Sequence, residues 1–142
     1  MAVDNDVAVN HLFRLEIVTP QKSVFSGEIE SFTAPGASGS FQILRNHAPF
    51  LSTITVGEVK IRDVSGNESL YSTSGGFVEV SHNHVTFLAE TIEKNAEIDV
   101  ERARSAKERA ETRLREKEPG IDFARARAAL LRAVNRMKVA GK

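Results

Sequence analysis

The sequence predicts a β-plus-α chain: an N-terminal antiparallel β-sandwich followed by a C-terminal two-helix antiparallel hairpin. Three observations carry this reading. Short apolar–polar alternations fill residues 12–90, alanine, arginine and glutamate take over after Asn95, and the charge divides at the same place. Residues 1–96 hold six lysines and arginines against eleven acids, and 97–142 hold thirteen against eight, so a chain of net charge zero is built from parts of −5 and +5. Charge asymmetry of that kind points to two parts with different partners.

In the first part the runs are "LFRLEIV", "SVFSGEIESF", "SFQIL", "STITVGEVKIR", "SLYST", "GFVEV" and "HVTFLAE". They are rich in Val, Ile, Thr and Phe. Gly, Pro, Asn or Ser interrupts them at the spacing of sandwiches and barrels. Ser65-Gly66-Asn67 between two alternating runs predicts a hairpin, since Gly and Asn accept positive φ. "SGGF", Ser74 to Phe77, reads as a second break.

In the second part Val100, Ala103, Ala106 or Lys107, Ala110 and Leu114 recur at helical spacing, and so do Phe123, Ala126, Leu130, Ala133 or Val134, and Met137. Each run begins behind an aspartate in a nearly repeated phrase, "EIDVERARSA" and "GIDFARARAA". Asp99 and Asp122 are therefore expected N-caps, accepting free amides at the positive end of the helix dipole. Glu118-Pro119-Gly120 is the expected stop, because proline lacks an amide donor. Helices joined by so short a loop lie antiparallel. An alanine seam buries little area, so the hairpin is expected to be marginal on its own, contributing only a few kcal/mol at ~25 cal/mol per Å².

A length of 142 residues allows one core and at most a small extra. The expected division is a flexible N-terminus at 1–11, the sandwich at 12–92 and the hairpin at 93–142. The chain has no cysteine, which excludes disulfides and thiolate metal sites, and no apolar run approaching the ~20 residues of a spanning helix. "MAVDNDVAVN" is acidic and unlike a secretory signal, so a soluble intracellular protein is expected, with a peripheral place at a membrane left open.

Arg102 and Arg109 lie seven apart on the first helix, and Arg132 and Arg136 four apart on the second. If those faces meet, four guanidiniums converge, an arrangement suited to a phosphate-bearing ligand held bidentately. Spacing alone favours a blander reading, a solvated surface on which Glu101, Glu108, Glu111 and Glu116 offset the arginines. His82 and His84 share a strand face without a third metal ligand, and His47 stands in the loop "LRNHAPF" before Pro49. No nucleophile–base spacing, phosphate-binding glycine loop or dinucleotide fingerprint is present.

Two other functions fit parts of the pattern. A hairpin of charge +5 suits a module that binds nucleic acid with strong salt dependence, but acids interleave with its basic residues and Phe123 is its sole aromatic. An independent enzyme acting on ATP would have only Glu93, Asp99 and Glu101 as bases near the arginines, and no carboxylate cluster for a metal.

The order of segments from Leu12 to Ala140 resembles one family, the epsilon subunits of the F-type ATP synthase. The likeness rests on "LFRLEIVTPQKSVFSGEIE", "GSFQILRNHAPFLSTITVGEVKI", "SGGFVEVSHNHVTFLAE" and the tail from "IDVERARSAKERAETRL" to "RAALLRAVNRMKVA". It implies a non-catalytic rotor subunit of the central stalk, peripheral to the cytoplasmic face of a bacterial plasma membrane. The sandwich would dock on the gamma subunit and rest on the c-ring of Fo, for proton-driven ATP synthesis. The hairpin would leave the enzyme free when folded down, and would inhibit ATP hydrolysis when extended along gamma toward the alpha and beta subunits. Nucleic acid has no place among the implied partners.

The same resemblance implies ATP as a regulatory ligand, with no metal required. Ile98, Asp99, Arg102 and Ala103 match the family's I/L-D-x-x-R-A motif, joined by Arg109, Arg132, Arg136 and the acidic Glu93. With these matches the arginine cluster reads as a nucleotide site. Ser38, Ser40 and His47 fall on the implied c-ring contact. Arg45 departs from the proline commoner in "LPNHAP" or "YPGHAP", and Ser38 and Ser40 stand where other members can carry acids.

Overall fold

The computed structural model describes residues 11–116 and 119–141. Eight strands come first: β1 (Phe13–Val18), β2 (Ser23–Ile29), β3 (Ser31–Gly36), β4 (Gly39–Ile43), β5 (Phe50–Ile54), β6 (Gly57–Arg62), β7 (Glu68–Ser81) and β8 (His84–Lys94). A single 3-10 turn (Asn95–Glu97) leads to α1 (Val100–Arg115) and α2 (Phe123–Ala140). The expected sandwich-then-hairpin order is the observed one. Of the expected flexible segment 1–11, all but His11 lies outside the described residues, as do Lys117, the breaker residue Glu118, and Lys142.

The strands form one continuous sheet in the order β2-β1-β8-β7-β5-β3-β4, with β6 pairing both β3 and β7. All neighbours are antiparallel except β1 and β8, which run parallel from Arg14 beside His84 to Val18 beside Leu88. Folding the sheet over itself brings residues of β1, β3, β6, β7 and β8 into one core. Phe13, Leu15, Ile17, Phe32, Val59, Val78, Val85 and Phe87 are almost wholly buried there, with Phe32 and Phe87 meeting edge to face at 6.1 Å.

Three segment boundaries differ from the sequence reading. "SVFSGEIESF" splits into β2 and β3 at Glu30, and "STITVGEVKIR" splits into β5 and β6 at Thr55–Val56. Conversely "SLYST" and "GFVEV" are one strand, β7, and the expected break at "SGGF" is a bulge within it. The register against β8 shifts at Gly75 and Gly76, where φ is 130° and 149°. A Cβ on Gly76 would lie 2.1 Å from the carbonyl oxygen of Leu88, so only glycine lets β7 turn this corner while still paired. One half of β7 pairs with β5 and the other with β6. The Ser65-Gly66-Asn67 turn forms as expected, organised by Asp63, whose carboxylate accepts the amides of Ser65 and Asn67.

Both helices start at their aspartates. Asp99 Oδ1 accepts the amide of Arg102 and Asp122 Oδ1 that of Arg125, each at 3.0 Å. α1 ends at Arg115, before Pro119 is reached, and α2 ends at Gly141 in the left-handed conformation. Ala103, Ala110, Ala126 and Ala133 are the buried seam residues. The hairpin is folded down on the sandwich, with α2 packed on β6, β7 and the 3-10 turn and α1 packed on α2.

Candidate ligand cleft between hairpin and sandwich

Tyr71, Ser72 and Thr73 of β7 are consecutive and all buried. A strand with one wet face cannot bury three residues in a row, because successive side chains point to opposite faces. Tyr71 belongs to the sandwich core, and the opposite face, bearing Ser72, is covered by α2. Beside this covered patch lies a cleft of about 540 Å³, within the usual range for a small-molecule site. Its floor comes from Ser72–Ser74 of β7 and Glu90–Glu93 of β8, and its walls from Arg102 and Ala106 of α1 and Ala129, Arg132, Ala133 and Arg136 of α2. Small residues make the room: Ala106, Ala129 and Ala133 stand where leucines would fill the space.

Four of the expected site residues meet here. Arg102, Arg132 and Arg136 converge from two helices onto a floor that carries Glu93. Arg136 Nε and Nη2 both donate to the Glu93 carboxylate, in a half-buried bidentate pair. Arg102 and Arg132 have no carboxylate within ion-pair distance among the described residues. Of the acids in the solvated-surface reading, Glu101 pairs with Arg104 instead. The cleft thus holds three guanidiniums against Glu90 and Glu93, with one of those carboxylates already engaged. That excess of positive charge suits an anion bearing more than one oxygen acceptor.

The other motif residues have different work. Ile98 is buried beneath the helix start, Asp99 caps α1, and Ala103 lies fully buried in the seam. None of the three lines the cleft. Arg109 sits apart, in a shallow groove on α1 with Ser105, Glu108, Thr112, Arg113 and Glu116, so three arginines converge rather than four. Sequence reasoning missed Ser72, Ser74 and Thr91, whose hydroxyls floor the cleft; Thr91 Oγ1 donates to Ser74 Oγ at 2.7 Å. The run "STS" within an apolar strand was the available signal. Glu93, expected at the start of the hairpin segment, is part of β8.

On the sandwich, Ser38 and Ser40 are exposed around the start of β4, whereas His47 follows its end, with its ring edge-to-face on Phe50 at 5.5 Å. Arg45 takes a structural part, donating to the carbonyl of Leu12 at 2.7 Å. Asn46 and Asn83 clasp the His47 loop to the β7–β8 turn, through a 2.6 Å bond from the Asn46 amide and a 3.1 Å bond between side chains. His84 faces Glu16 at 3.5 Å. The outer face of β5, β7 and β8 carries an apolar patch of Leu51, Phe77 and Leu88, the last two directly opposite one another across the strands.

Comparison with known proteins accounts for both halves. Residues 12–95 match the family description "ATP synthase, Delta/Epsilon chain, beta-sandwich domain", and residues 96–141 match "ATP synthase, Delta/Epsilon chain, long alpha-helix domain". The chain belongs to the ATP synthase delta/epsilon family. It is 50% identical over 129 residues to the ATP synthase epsilon chain of Pelotomaculum thermopropionicum, covering 91% of this chain and 96% of that one. Likeness to the epsilon chain of Moorella thermoacetica is 49% over 127 residues, with 89% and 95% covered. Among solved structures, a chain of the Euglena gracilis mitochondrial ATP synthase (OSCP/F1/c-ring) shares the fold with a TM-score of 0.82 at 18% identity, covering 93% of this chain and 82% of that one. Family members of this kind are subunits of the synthase complex. Among the described residues no helix is long and apolar enough to cross a membrane.

Proposed function

We propose that this chain is a non-catalytic rotor subunit of the synthase, coupling F1 to the c-ring and restraining ATP hydrolysis through a hairpin that senses ATP. The observation that carries the sensor reading is the convergence of Arg102, Arg132 and Arg136 on a cleft that exists only while the hairpin is folded down. A nucleotide polyphosphate bound there would offset the guanidiniums of Arg102 and Arg132, which have no carboxylate partner among the described residues. It would also bridge α1, α2 and the sandwich, and so favour the folded-down state over the extended one by its differential affinity. Ile98, Asp99 and Ala103 serve by building the helix start that aims Arg102, and Arg109 flanks the site on α1.

The apolar patch of Leu51, Phe77 and Leu88 suits docking of the gamma subunit, because an exposed patch on a sheet face gains by being covered. Ser38, Ser40 and the His47 loop are the proposed contacts to the c-ring, at the cytoplasmic face of a bacterial membrane. An extended hairpin would meet the alpha and beta subunits.

Calorimetric titration of the full chain with ATP tests the sensor. Binding in the micromolar to millimolar range is expected, weakened about tenfold or more by Arg102→Ala or Arg132→Ala, in line with roughly 1.5–3 kcal/mol for hydrogen bonds to a charged group. Unchanged heats in both variants would remove the claim. Deleting residues 97–142 should raise ATP hydrolysis by the reassembled synthase, and an unaltered rate would remove the inhibitory role.

A further inference from the structure

Asn135 stands in the middle of α2, among alanines and arginines, where a polar amide is a poor helix former. Its side chain is half-buried and turned to the sandwich. Nδ2 donates to the carbonyl oxygen of Gly57 at 2.8 Å and to Ser72 Oγ at 3.0 Å. Both acceptors belong to strands, one to β6 and one to β7, so a single amide ties the helix to two neighbouring strands. Gly57 is held in place by close packing: a Cβ there would come 2.7 Å from Pro35. Apart from the adjacent Arg136–Glu93 pair, these are the side-chain hydrogen bonds from α2 to the sandwich among the described residues.

We propose that Asn135 is the positioning residue of the cleft, a ligand-independent peg that docks α2 on the sandwich and so brings Arg132 and Arg136 over the floor. Two neighbouring residues then divide the work by chemistry. The Arg136–Glu93 pair is ionic, and an incoming anion competes with Glu93 for the guanidinium. The Asn135 amide is neutral and does not line the cleft, so an incoming anion does not compete for it as it does for Arg136. Ser72 links the two functions, since it accepts from Asn135 and also lines the cleft. When α2 lifts away, water replaces the amide on Gly57 and Ser72. When Asn135 is removed with α2 still docked, both oxygens lose their donor under cover, and that cost falls on the docked state alone.

Amide hydrogen exchange on the full chain tests this without any ligand, because exchange reads rare openings that bulk probes miss. Asn135→Leu keeps the volume and removes the donor. Protection of α2 amides should fall roughly 5- to 30-fold, the range expected for leaving a part-buried acceptor pair without its donor, while amides around Val78–Val80 keep theirs. Ser72→Ala removes one acceptor and leaves the helix sequence intact, so it carries the same test if the first variant has no protected α2 at all. Combined, the two substitutions should cost less than the sum of their separate effects. Wild-type protection of α2 in both variants overturns the proposal.

The link to the cleft rests on the nucleotide reading above, and its failure is separable. ATP should restore α2 protection in Asn135→Leu, with an apparent affinity lowered in proportion to the docked fraction. ATP without effect on the wild-type chain would sink the nucleotide reading and leave the peg standing. ATP that protects the wild-type chain but binds Asn135→Leu with unchanged affinity, despite a measurably smaller docked fraction, would sink the coupling.

Discussion

The sandwich and the hairpin are both closed around buried residues, but of different size. Phe13, Phe32, Phe87, Leu15 and Ile17 fill the first, whereas Ala103, Ala110, Ala126 and Ala133 fill the second. Each phenylalanine removes far more apolar surface from water than a methyl group can. The sandwich is therefore stable through its own interior. The hairpin gains in addition from the sandwich face it touches. Alanine also leaves the cleft open at Ala106, Ala129 and Ala133, the last of which belongs to the seam as well.

Three substitutions can break or sharpen this contrast. Phe87→Ala is expected to have the largest effect, a loss of about 3–5 kcal/mol of sandwich stability in chemical denaturation, because a buried ring is replaced by a cavity. Hairpin docking should be lost with it, since the floor of the cleft is built on the same sheet. Asp99→Ala should cost about 1 kcal/mol, and only in the hairpin, because it removes the cap of α1. Its signature is faster amide exchange in the first turn of α1 with the sandwich midpoint unmoved. A shift of that midpoint would mean that the two regions unfold as one unit.

The smallest effect is expected where the regions meet. Burial raises the hydroxyl pKa of Tyr71 above the ordinary 10.0, and the nearby Glu97 carboxylate pushes it the same way. The unfolded chain then ionises at a lower pH than the folded one. The stabilisation is intact below pH 10 and is lost as the pH rises through the higher folded-state value. Tyr71→Phe should flatten that alkaline loss and leave stability at neutral pH nearly unchanged. Tyr71 is the single tyrosine and the chain has no tryptophan, so its ultraviolet titration reads this group directly.

Much of this was legible in the sequence because it is local. Period-two alternation, the caps Asp99 and Asp122 and the alanine spacing each depend on residues within a turn or two. The gathering of Glu93, Arg102, Arg132 and Arg136 was legible through likeness to a family, since spacing alone favoured a solvated surface. What escaped is set by distant neighbours. Gly75 and Gly76 resemble a turn, yet they bend a strand whose pairing on both sides continues. Arg109 shares a helix face with Arg102, but seven residues of helix carry it about 10 Å along the axis from Arg102 and past the cleft wall at Ala106. Asn135 carries no local signal of its partners, Gly57 and Ser72, which lie more than sixty residues away in the chain.

The pairing of β7 with β8 has a mechanical consequence. Their turn, His82–Asn83, is clasped by Asn46 beside His47, and their far ends supply Ser72 and Glu93 to the cleft. The His47 loop and the cleft floor thus lie at opposite ends of one paired ribbon, notched once at Gly75–Gly76. A twist applied at the turn would have to cross that notch, where the ladder changes register, before reaching the floor beneath the arginines.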